Sequence, residues 1–277
     1  IQETFSFLED TVAKRLLDLY KTKTSTGEDA TVLYYFLVKV INCSYCTASI
    51  DLFKSRIFSA NAVPKKDPSA RALCPQCGQI VHTRYDAETS KCDHCKFVFN
   101  PQSGVISGSK VCCPECHSDF RLVDAMHSLS GPLHYRRYAK LVLYPDGSKH
   151  YEVLNEFDVA LEREIAIEYQ SVIDELPKVA VQSGYNTDQM LKHNYRYWHE
   201  LFSDRQIISI SYLKKAIANI QDDKTRHLFA CLFSGTLEFN NLFTSFKGEG
   251  TGAVRHMFSN HVLKPELMPI EANLWGT

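Results

Sequence analysis

The sequence predicts an α+β protein in which cysteine-rich β-hairpins come before a mainly helical region. Three observations lead to this prediction. Four Cys-x-x-Cys pairs lie between residues 43 and 116, segments rich in β-branched and aromatic residues flank them, and apolar residues recur every three or four positions after residue 156. We divide the chain accordingly into a helix and strand (1–42), a cysteine region (43–126), a β-hairpin (127–155) and a helical region (156–277).

Composition narrows the class of protein. The 277 residues include 31 basic and 32 acidic side chains and are 44% hydrophobic, which excludes a disordered tail or a uniformly basic nucleic-acid binder. No apolar run reaches the roughly 18 residues that span a bilayer, and the amphipathic amino end is unlike a signal peptide. We expect a cytoplasmic protein without a membrane partner. Because an initial Met is missing and the chain stops at NLWGT, we also expect a fragment.

Each of the four cysteine pairs has the spacing of a metal-binding turn. Two intervening residues let both sulfurs of a tight turn point at one ion, and two such turns complete a tetrahedral thiolate shell. Disulfides are the alternative, but the lack of a secretory signal and the clustering in pairs argue against them. We predict two zinc ions per chain. Their predicted ligands are Cys43, Cys46, Cys74, Cys77, Cys92, Cys95, Cys113 and Cys116.

Two ways of pairing these turns are open. Nested pairing joins the second pair to the third and the first to the fourth, whereas sequential pairing joins the first to the second and the third to the fourth. We favour nesting, because the 14 residues between Cys77 and Cys92 form the tighter hairpin. Cys112 fits the two-residue spacing less well than its neighbour Cys113. Cys231 lies in the apolar run LFACLF and is predicted to be buried.

The first half of the chain predicts one helix and several strands. Apolar residues share a face over residues 5–21, which indicates a helix. The segment ATVLYYFLVKVI (30–41) predicts a buried strand that leads into the first cysteine pair. Residues 61–73 contain two prolines and no periodicity, which predicts a linker. In residues 134–155, two strand-like segments with alternating side chains lie on either side of Pro-Asp-Gly, which predicts a β-hairpin.

The second half predicts helices. Apolar residues recur at helical spacing over 156–176, and Ser203 with Gln206 forms a capping-box pattern at the start of another helix. Residues 224–246 are apolar almost all round, which predicts a buried helix. A glycine-rich loop at 247–252 is predicted to be followed by a short helix through Val262.

The sequence signals for phosphate contact are less specific than those for metal binding. The segment KGEGTGAVRH is similar to a phosphate-binding loop, because Gly248, Gly250 and Gly252 precede a predicted helix start. It follows a helix and lacks the Lys-Ser/Thr of a P-loop, so a flexible interhelical loop is the alternative. Basic residues beside aromatic ones at 134–140 and 193–206 suit phosphate contact and base stacking, although a solvated face has the same pattern. The candidates for DNA contact are Arg136, Arg137, Arg205, Lys247 and Arg255.

The order of these features resembles a known family. A strand runs into the first cysteine pair (YYFLVKVINCSYC), cysteine hairpins follow, then comes YWHELFSDRQIISISYLKKAI, and the chain ends near EANLWG. This arrangement, over most of residues 30–276, is similar to the middle of the large, zinc-ribbon-containing adenine-specific DNA methyltransferases. In that family an aromatic-x-x-LF-x-x-RQ segment opens a helix after the ribbons, and a Glu-x-Asn follows later. The matching residues are Trp198, Leu201, Phe202, Arg205, Gln206, Glu271 and Asn273.

The resemblance implies an S-adenosylmethionine-dependent methyltransferase of a restriction–modification type that acts on DNA and whose Rossmann-like sheet flanks this stretch. It also implies a catalytic Asp/Asn-Pro-Pro-aromatic motif, which receives a flipped base. The chain departs from that pattern, since its ten prolines include no Pro-Pro pair and its Gly-x-Gly follows a helix rather than a strand. We expect the donor loop and the catalytic motif to lie outside these residues, assign no catalytic residue, and expect the fragment alone to be inactive. A non-enzymatic zinc-ribbon adaptor that binds nucleic acid or protein is the alternative.

Overall fold

A computed structural model describes residues 1–249, 254–259 and 261–276, and its fold is mixed α+β with antiparallel sheets. In chain order the strands are β1 (Lys21–Lys23), β2 (Asp29–Asn42), β3 (Ser49–Asp51), β4 (Ile57–Ala60), β5 (Ser69–Leu73), β6 (Ile80–Arg84), β7 (Ser90–Lys91), β8 (Val98–Phe99), β9 (Ile106–Ser107), β10 (Lys110–Cys112), β11 (Asp119–Arg121), β12 (His134–Leu143), β13 (Lys149–Glu152), β14 (Ser245–Phe246), β15 (Val254–Arg255) and β16 (Ile270–Ala272).

Most helices precede or follow the strands β1–β13, and α3 lies between β11 and β12. They are α1 (Gln2–Leu8), α2 (Lys14–Asp18), α3 (Leu122–Met126), α4 (Glu156–Val172), α5 (Asp188–Lys192), α6 (Asp204–Ala218) and α7 (Asp223–Phe239). A π-helical segment (Glu9–Ala13) joins α1 to α2, and short 3-10 helices lie at Ile173–Glu175 and Trp198–Leu201.

Strand β2 is the centre of the largest sheet. Its β-branched and aromatic residues are buried at nearly every position, which fits a strand covered on both faces. Strand β12 pairs with it along one edge, and β13 pairs with β12. Strands β1, β16 and β3 pair in succession along the other edge of β2, and all these pairings are antiparallel. The sheet thus takes strands from all four segments into which the sequence was divided.

The two faces of this sheet pack against different layers. On one face, Tyr35 and Leu37 of β2 pack with Leu161 and Ile165 of α4 and with Ile208 of α6. On the other face, residues of β2 and β12 form a largely aromatic cluster with residues that lie before the second cysteine pair. That cluster includes Phe36, Phe53, Phe58, Leu73 and Tyr138. Helices α4 and α6 and the segment before the second cysteine pair therefore lie on opposite faces of one sheet.

A bulge in β12 decides which charged residues face the helices. The register of β12 against β2 shifts between Arg137, which lies opposite Leu37, and Ala139, which lies opposite Phe36. The extra residue is Tyr138, and it brings both Arg137 and Lys140 to the same face of the sheet. Without the bulge the alternation of side chains would place these two cations on opposite faces.

Most predicted elements of the first half are confirmed. The strand at 30–41 is β2, the hairpin at 134–155 is β12 with β13, and the helix at 5–21 is a run of α-helical and π-helical turns over residues 2–18. The predicted linker at 61–73 is wrong over its last five residues, which form β5. The two prolines, Pro64 and Pro68, both lie before this strand.

The second half departs further from prediction. The helix at 156–176 and the capping box of Ser203 with Gln206 are confirmed. Helix α7 is not a buried helix: it ends at Phe239, and of its residues only Phe229 is buried. The short helix predicted before Val262 is also wrong in the described residues, where Val254–Arg255 is strand β15, paired with β14. Among the described residues, no helix is both long and apolar enough to cross a membrane.

Candidate metal centres and a buried ion cluster

The eight paired cysteines form two four-cysteine clusters, and their pairing is nested. Cys43, Cys46, Cys113 and Cys116 form one cluster, and the remaining pairs form the other, with the ligand atoms of each cluster within 4.8 Å of one another. Cys74, Cys77, Cys92 and Cys95 belong to this second cluster. We call the first the outer cluster and the second the inner cluster. The prediction of nesting is confirmed.

The spacing of the sulfurs fits a tetrahedral metal ion. The Sγ atoms of Cys43 and Cys116 lie 3.7 Å apart, and those of Cys74 and Cys95 lie 3.6 Å apart. A zinc–sulfur bond of about 2.3 Å requires an edge of about 3.8 Å between sulfurs at tetrahedral angles. Each cluster can therefore hold one ion, and four sulfurs leave no open position for water or substrate. Such a closed shell suits a structural rather than a catalytic metal.

All four cysteine turns have the same backbone geometry. In each, the first cysteine donates its amide to the carbonyl five residues later and accepts an amide from the residue four positions later. The donor–acceptor pairs are Cys43–Ala48, Thr47–Cys43, Cys74–Gln79, Gly78–Cys74, Cys92–Phe97, Lys96–Cys92, Cys113–Ser118 and His117–Cys113. The backbone of each turn is thus held by the same two hydrogen bonds.

The residue four positions after the first cysteine is left-handed in every turn. Its φ is +63° at Thr47, +72° at Gly78, +65° at Lys96 and +58° at His117. Only one of the four is the glycine that this conformation favours, as expected for the Cys-Pro-Gln-Cys-Gly turn. The other three carry side chains in a conformation that costs free energy in the absence of compensating contacts.

The outer cluster is built into the central sheet. Cys43 directly follows β2, and after the turn β3 folds back to pair with the same strand, with Ile50 opposite Ile41. Cys43 and Cys113 are buried, and they pack in one apolar core with Ile41 of β2 and with Val111. The ends of the main strand and the outer cluster are therefore parts of one packed unit.

The inner cluster has a small core and sheets of its own. Strands β4, β5 and β6 form a three-stranded sheet, and β7 pairs with β8. Cys74 and Cys92 are buried together with Ala72, Val81 and Phe99. None of the strands β4–β8 pairs with a strand of the central sheet in the described residues, and contact with it is made by side chains.

The two other cysteines lie outside both clusters. Cys112 is the last residue of β10 and is exposed, whereas Cys113, which directly follows the strand, is buried. Cys231 is also exposed, which corrects the prediction that it is buried. Among the described residues no histidine joins either group, so the eight cysteines complete both clusters.

Arg205 lies at the centre of a buried ion cluster. Arg205 and Glu271 are both fully buried, and the Arg205 Nε lies 3.1 Å from a Glu271 carboxylate oxygen. The guanidinium lies 4.4 Å from the centroid of the Tyr35 ring and donates to the carbonyl of Leu19. The hydroxyl of Ser203 donates to the same carboxylate. The RQ segment and the Glu-x-Asn segment thus meet inside the protein.

Arg137 adds a second cation to this cluster. Its Nη2 lies 2.6 Å from Glu271 and 3.1 Å from Asp204, and its Nη1 lies 3.3 Å from Glu162. Burial raises the pKa of Glu162. Burial is also the largest single effect on Asp204, but the charges of Arg137 and Arg205 and the hydrogen bonds from both residues together outweigh it and lower the pKa of Asp204. The predicted DNA contacts of Arg137 and Arg205 are wrong for the folded chain, because both guanidinium groups are buried and paired.

A second buried ion pair lies nearby on the same face. Lys140 and Asp158 are fully buried, with Nζ 2.7 Å from the carboxylate, and Thr22 bonds to both groups. Asp158 also accepts the backbone amide of Asn155 and so completes the cap of α4. Sequence reasoning missed this pair. Its one signal is the polar position Lys140 in an otherwise apolar strand end, AKLVL.

The remaining candidates for DNA contact lie at the surface. Lys247 and Arg255 are exposed, and Arg136 is partly exposed with its Nε 2.7 Å from a carboxylate oxygen of Asp51. Gly248 is buried at φ +111°, and a Cβ there would lie 2.7 Å from the amide nitrogen of Ala62. This part of the predicted phosphate loop therefore packs closely against the backbone that follows β4. Gly250 and Gly252 lie outside the described residues.

Comparisons with known proteins add no identity. No family model matches the chain, and neither a curated protein nor a solved structure matches it.

Proposed function

We propose that both four-cysteine clusters hold structural zinc. Thiolates are soft ligands that favour zinc, and the sulfur edges of 3.6–3.7 Å match its tetrahedral shell. The metal would link segments that are distant in the sequence and so contribute to the free energy of folding. Metal analysis of the purified protein should give two zinc ions per chain. A metal-free folded protein in which all ten cysteines titrate as free thiols, rather than Cys112 and Cys231 alone, would contradict this assignment.

We further propose that the chain is the middle part of an S-adenosylmethionine-dependent, adenine-specific DNA methyltransferase. The observation that carries this proposal is the contact between Arg205 and Glu271, which joins the two short motifs of the family resemblance. Asn273 of the second motif is also buried, and its amide donates to the carbonyl of Val32 in β2. Arg205, Glu271 and Asn273 thus meet in the interior, where they connect the two motifs to β2.

In this proposal the stretch does not carry out the chemistry. Its zinc-bearing region and its helices support duplex DNA beside a catalytic Rossmann-like sheet, and other residues of the enzyme bind S-adenosylmethionine and the target base. The surface cations Arg136, Lys247 and Arg255 are the proposed phosphate contacts. Removing Lys247 and Arg255 together should lower the slope of log affinity against log salt by about 2, because each lost phosphate contact removes about one released counterion.

The experiment that tests the enzyme proposal begins with the reading frame of the encoding gene. A glycine-rich donor loop upstream and an Asp/Asn-Pro-Pro-aromatic motif downstream are expected in the same frame. The full protein should then transfer the labelled methyl group of S-adenosylmethionine to adenine in duplex DNA. Matched protein in which the Asp or Asn of that motif is replaced by Ala is the control. A frame without either motif would overturn the proposal and favour the zinc-ribbon adaptor.

A further inference from the structure

A cavity of about 560 Å³ lies between the helices and the edge of the central sheet. Its volume lies within the range of small-molecule sites. Helix α4 contributes Ala166 and Tyr169 to its wall, strand β12 contributes Tyr135, and Phe202 and Leu242 line it from the helical side. Most of these side chains are apolar or aromatic, so the cavity suits the body of an organic molecule.

Lys39 of β2 also lines this cavity and is 2% exposed. Its Nζ donates one hydrogen bond, 3.3 Å long, to the carbonyl of Leu133. It lies 5.3 Å from the ring centroid of Tyr135 and 5.8 Å from that of Tyr195. Within residues 1–249, 254–259 and 261–276, no carboxylate lies within ion-pair distance of this amine. Lys39 is the one charged residue between Ala30 and Asn42, a signal already present in the sequence.

The other buried cations of this sheet face have counter-ions, and Lys39 does not. Lys140 pairs with Asp158, and Arg137 and Arg205 pair with Glu271. A buried cation without a counter-charge is unfavourable, and burial accordingly lowers the pKa of Lys39 to about 7.

Acidic groups of the cavity wall are already engaged. Asp204 accepts the hydroxyl of Tyr135 and pairs with Arg137, and Glu200 accepts the backbone amide of Tyr197. Besides the imidazole rings of His134 and His199, the wall therefore offers a ligand one cation, Lys39, that has no counter-ion among the described residues.

We propose that this cavity binds a small organic anion whose carboxylate pairs with Lys39 and whose apolar or aromatic body lies against Tyr135, Tyr169 and Phe202. The ligand supplies the counter-charge that the fold leaves out. The rings and apolar walls supply the contact area, as in other sites where a few polar groups orient a mostly apolar ligand. This site is separate from both four-cysteine clusters and does not depend on the methyltransferase proposal.

A matched pair of probes tests the charge requirement. The zinc-loaded protein is titrated with 2-naphthoate and with the neutral isostere 2-naphthamide, and probe fluorescence reports binding. Naphthoate should bind about tenfold more tightly or better, because a hydrogen bond to a charged group that is otherwise unpaired contributes this much. Equal affinity for the two probes, or binding of neither, would overturn the proposal.

Lys39→Met assigns the preference to the amine. Methionine keeps an unbranched stem of similar length in the strand, and the variant should bind both probes with equal affinity. Lys149→Met, at an exposed position of β13, is the matched control and should keep the preference. A Lys39→Met protein that still prefers naphthoate would show that another group provides the charge, and the proposal would be wrong.

Blocking the cavity provides a test that leaves Lys39 in place. Ala166 lines the cavity from an exposed position of α4, so Ala166→Trp should fill the space and abolish binding of both probes. Ile167→Trp, one residue further along the same helix and outside the cavity, should have no effect. Displacement of naphthoate by a short DNA duplex in the wild-type protein would instead assign Lys39 to a nucleic-acid phosphate and overturn the small-ligand proposal.

Discussion

The outer and inner cysteine clusters have the same local geometry but different surroundings. Each has two buried and two more accessible cysteines, and each is built from two turns with the same backbone hydrogen bonds. The outer cluster continues β2 and shares a core with Ile41, whereas the inner cluster lies on separate small sheets around Val81. The metal-binding geometry is therefore encoded locally, and the importance of each site for the whole fold depends on where the chain places it.

This contrast predicts the largest effect for a ligand of the outer cluster. Cys113→Ser removes a buried sulfur that packs with Ile41 at the end of β2, so loss of the metal should loosen the central sheet. We expect the free energy of global unfolding to fall by more than about 4 kcal/mol, since loss of a bound metal belongs to the most destabilising class of change. Denaturant titration with zinc analysis measures it.

The control for this variant is the neighbouring residue. Cys112 is exposed and lies outside the cluster, so Cys112→Ser should keep two zinc ions and change stability by less than about 0.5 kcal/mol. If Cys113→Ser retained both ions and its stability, the assignment of the outer cluster would fail. If Cys112→Ser lost an ion, the cluster would have been assigned to the wrong cysteine.

The inner cluster predicts a smaller, local effect. Cys77→Ser should release one zinc ion and open residues 69–99, because no strand of this region pairs with the central sheet in the part of the chain that the structure describes. Hydrogen exchange should increase in β5–β8 and remain slow in β2 and β12, as for a unit that unfolds separately. Equal acceleration of exchange in β2 would show that the two clusters unfold together and would remove the distinction between them.

Gly104 lies in the segment that joins the inner cluster to the outer cluster, and its replacement tests how closely this segment packs. A Cβ at this position would lie 1.9 Å from the carbonyl oxygen of Phe53, the group that accepts the amide of Val105. Gly104→Ala must therefore displace the backbone, and we expect a loss of at least about 2 kcal/mol in the free energy of unfolding. Gly108→Ala is the control: its φ is +60° with open space around it, so about 1 kcal/mol of backbone cost is expected. Equal losses would mean that the close contact contributes nothing.

The sequence predicted those features that depend on short spacing. The cysteine ligands, their nested pairing, strand β2 and the capping box of Ser203 each follow from residues within a few positions or from the shorter of two loops. The buried ion cluster could not be predicted in this way. It depends on a one-residue bulge at Tyr138, and it joins Arg205 to Glu271, 66 positions later in the chain.

Helix α7 shows the same limitation for burial. Its apolar composition predicted a buried helix, but composition does not determine how many neighbours a helix has. Phe229 packs in the core with Leu213 and Ile217 of α6. By contrast, Leu228 is half exposed and Leu232 is more than half exposed. In contrast, the sequence already contains Lys39 as a single charge in an apolar strand. That this lysine lines a cavity could be seen only in the structure.

The smallest predicted effect tests whether the turns of the two clusters are equivalent. Thr47 of the outer cluster and Gly78 of the inner cluster occupy the same left-handed position, at φ +63° and +72°. Thr47→Gly should stabilise the protein by up to about 1 kcal/mol, since a β-branched residue is unfavourable there while glycine loses more chain entropy on folding. The exposed hydrogen bond from the Thr47 hydroxyl to the Cys46 carbonyl offsets part of the gain.

The reverse exchange at Gly78 should have the opposite sign. Gly78→Thr places a side chain in open space, so its cost is that of the backbone conformation, about 1–2 kcal/mol. Because the inner cluster is expected to open locally, this cost should be found in hydrogen exchange of residues 69–99, whereas the gain at Thr47 should be found in global denaturation. A change of the same sign at both positions would contradict the equivalence of the turns, and a Gly78→Thr cost found in global unfolding would contradict the independence of the inner cluster.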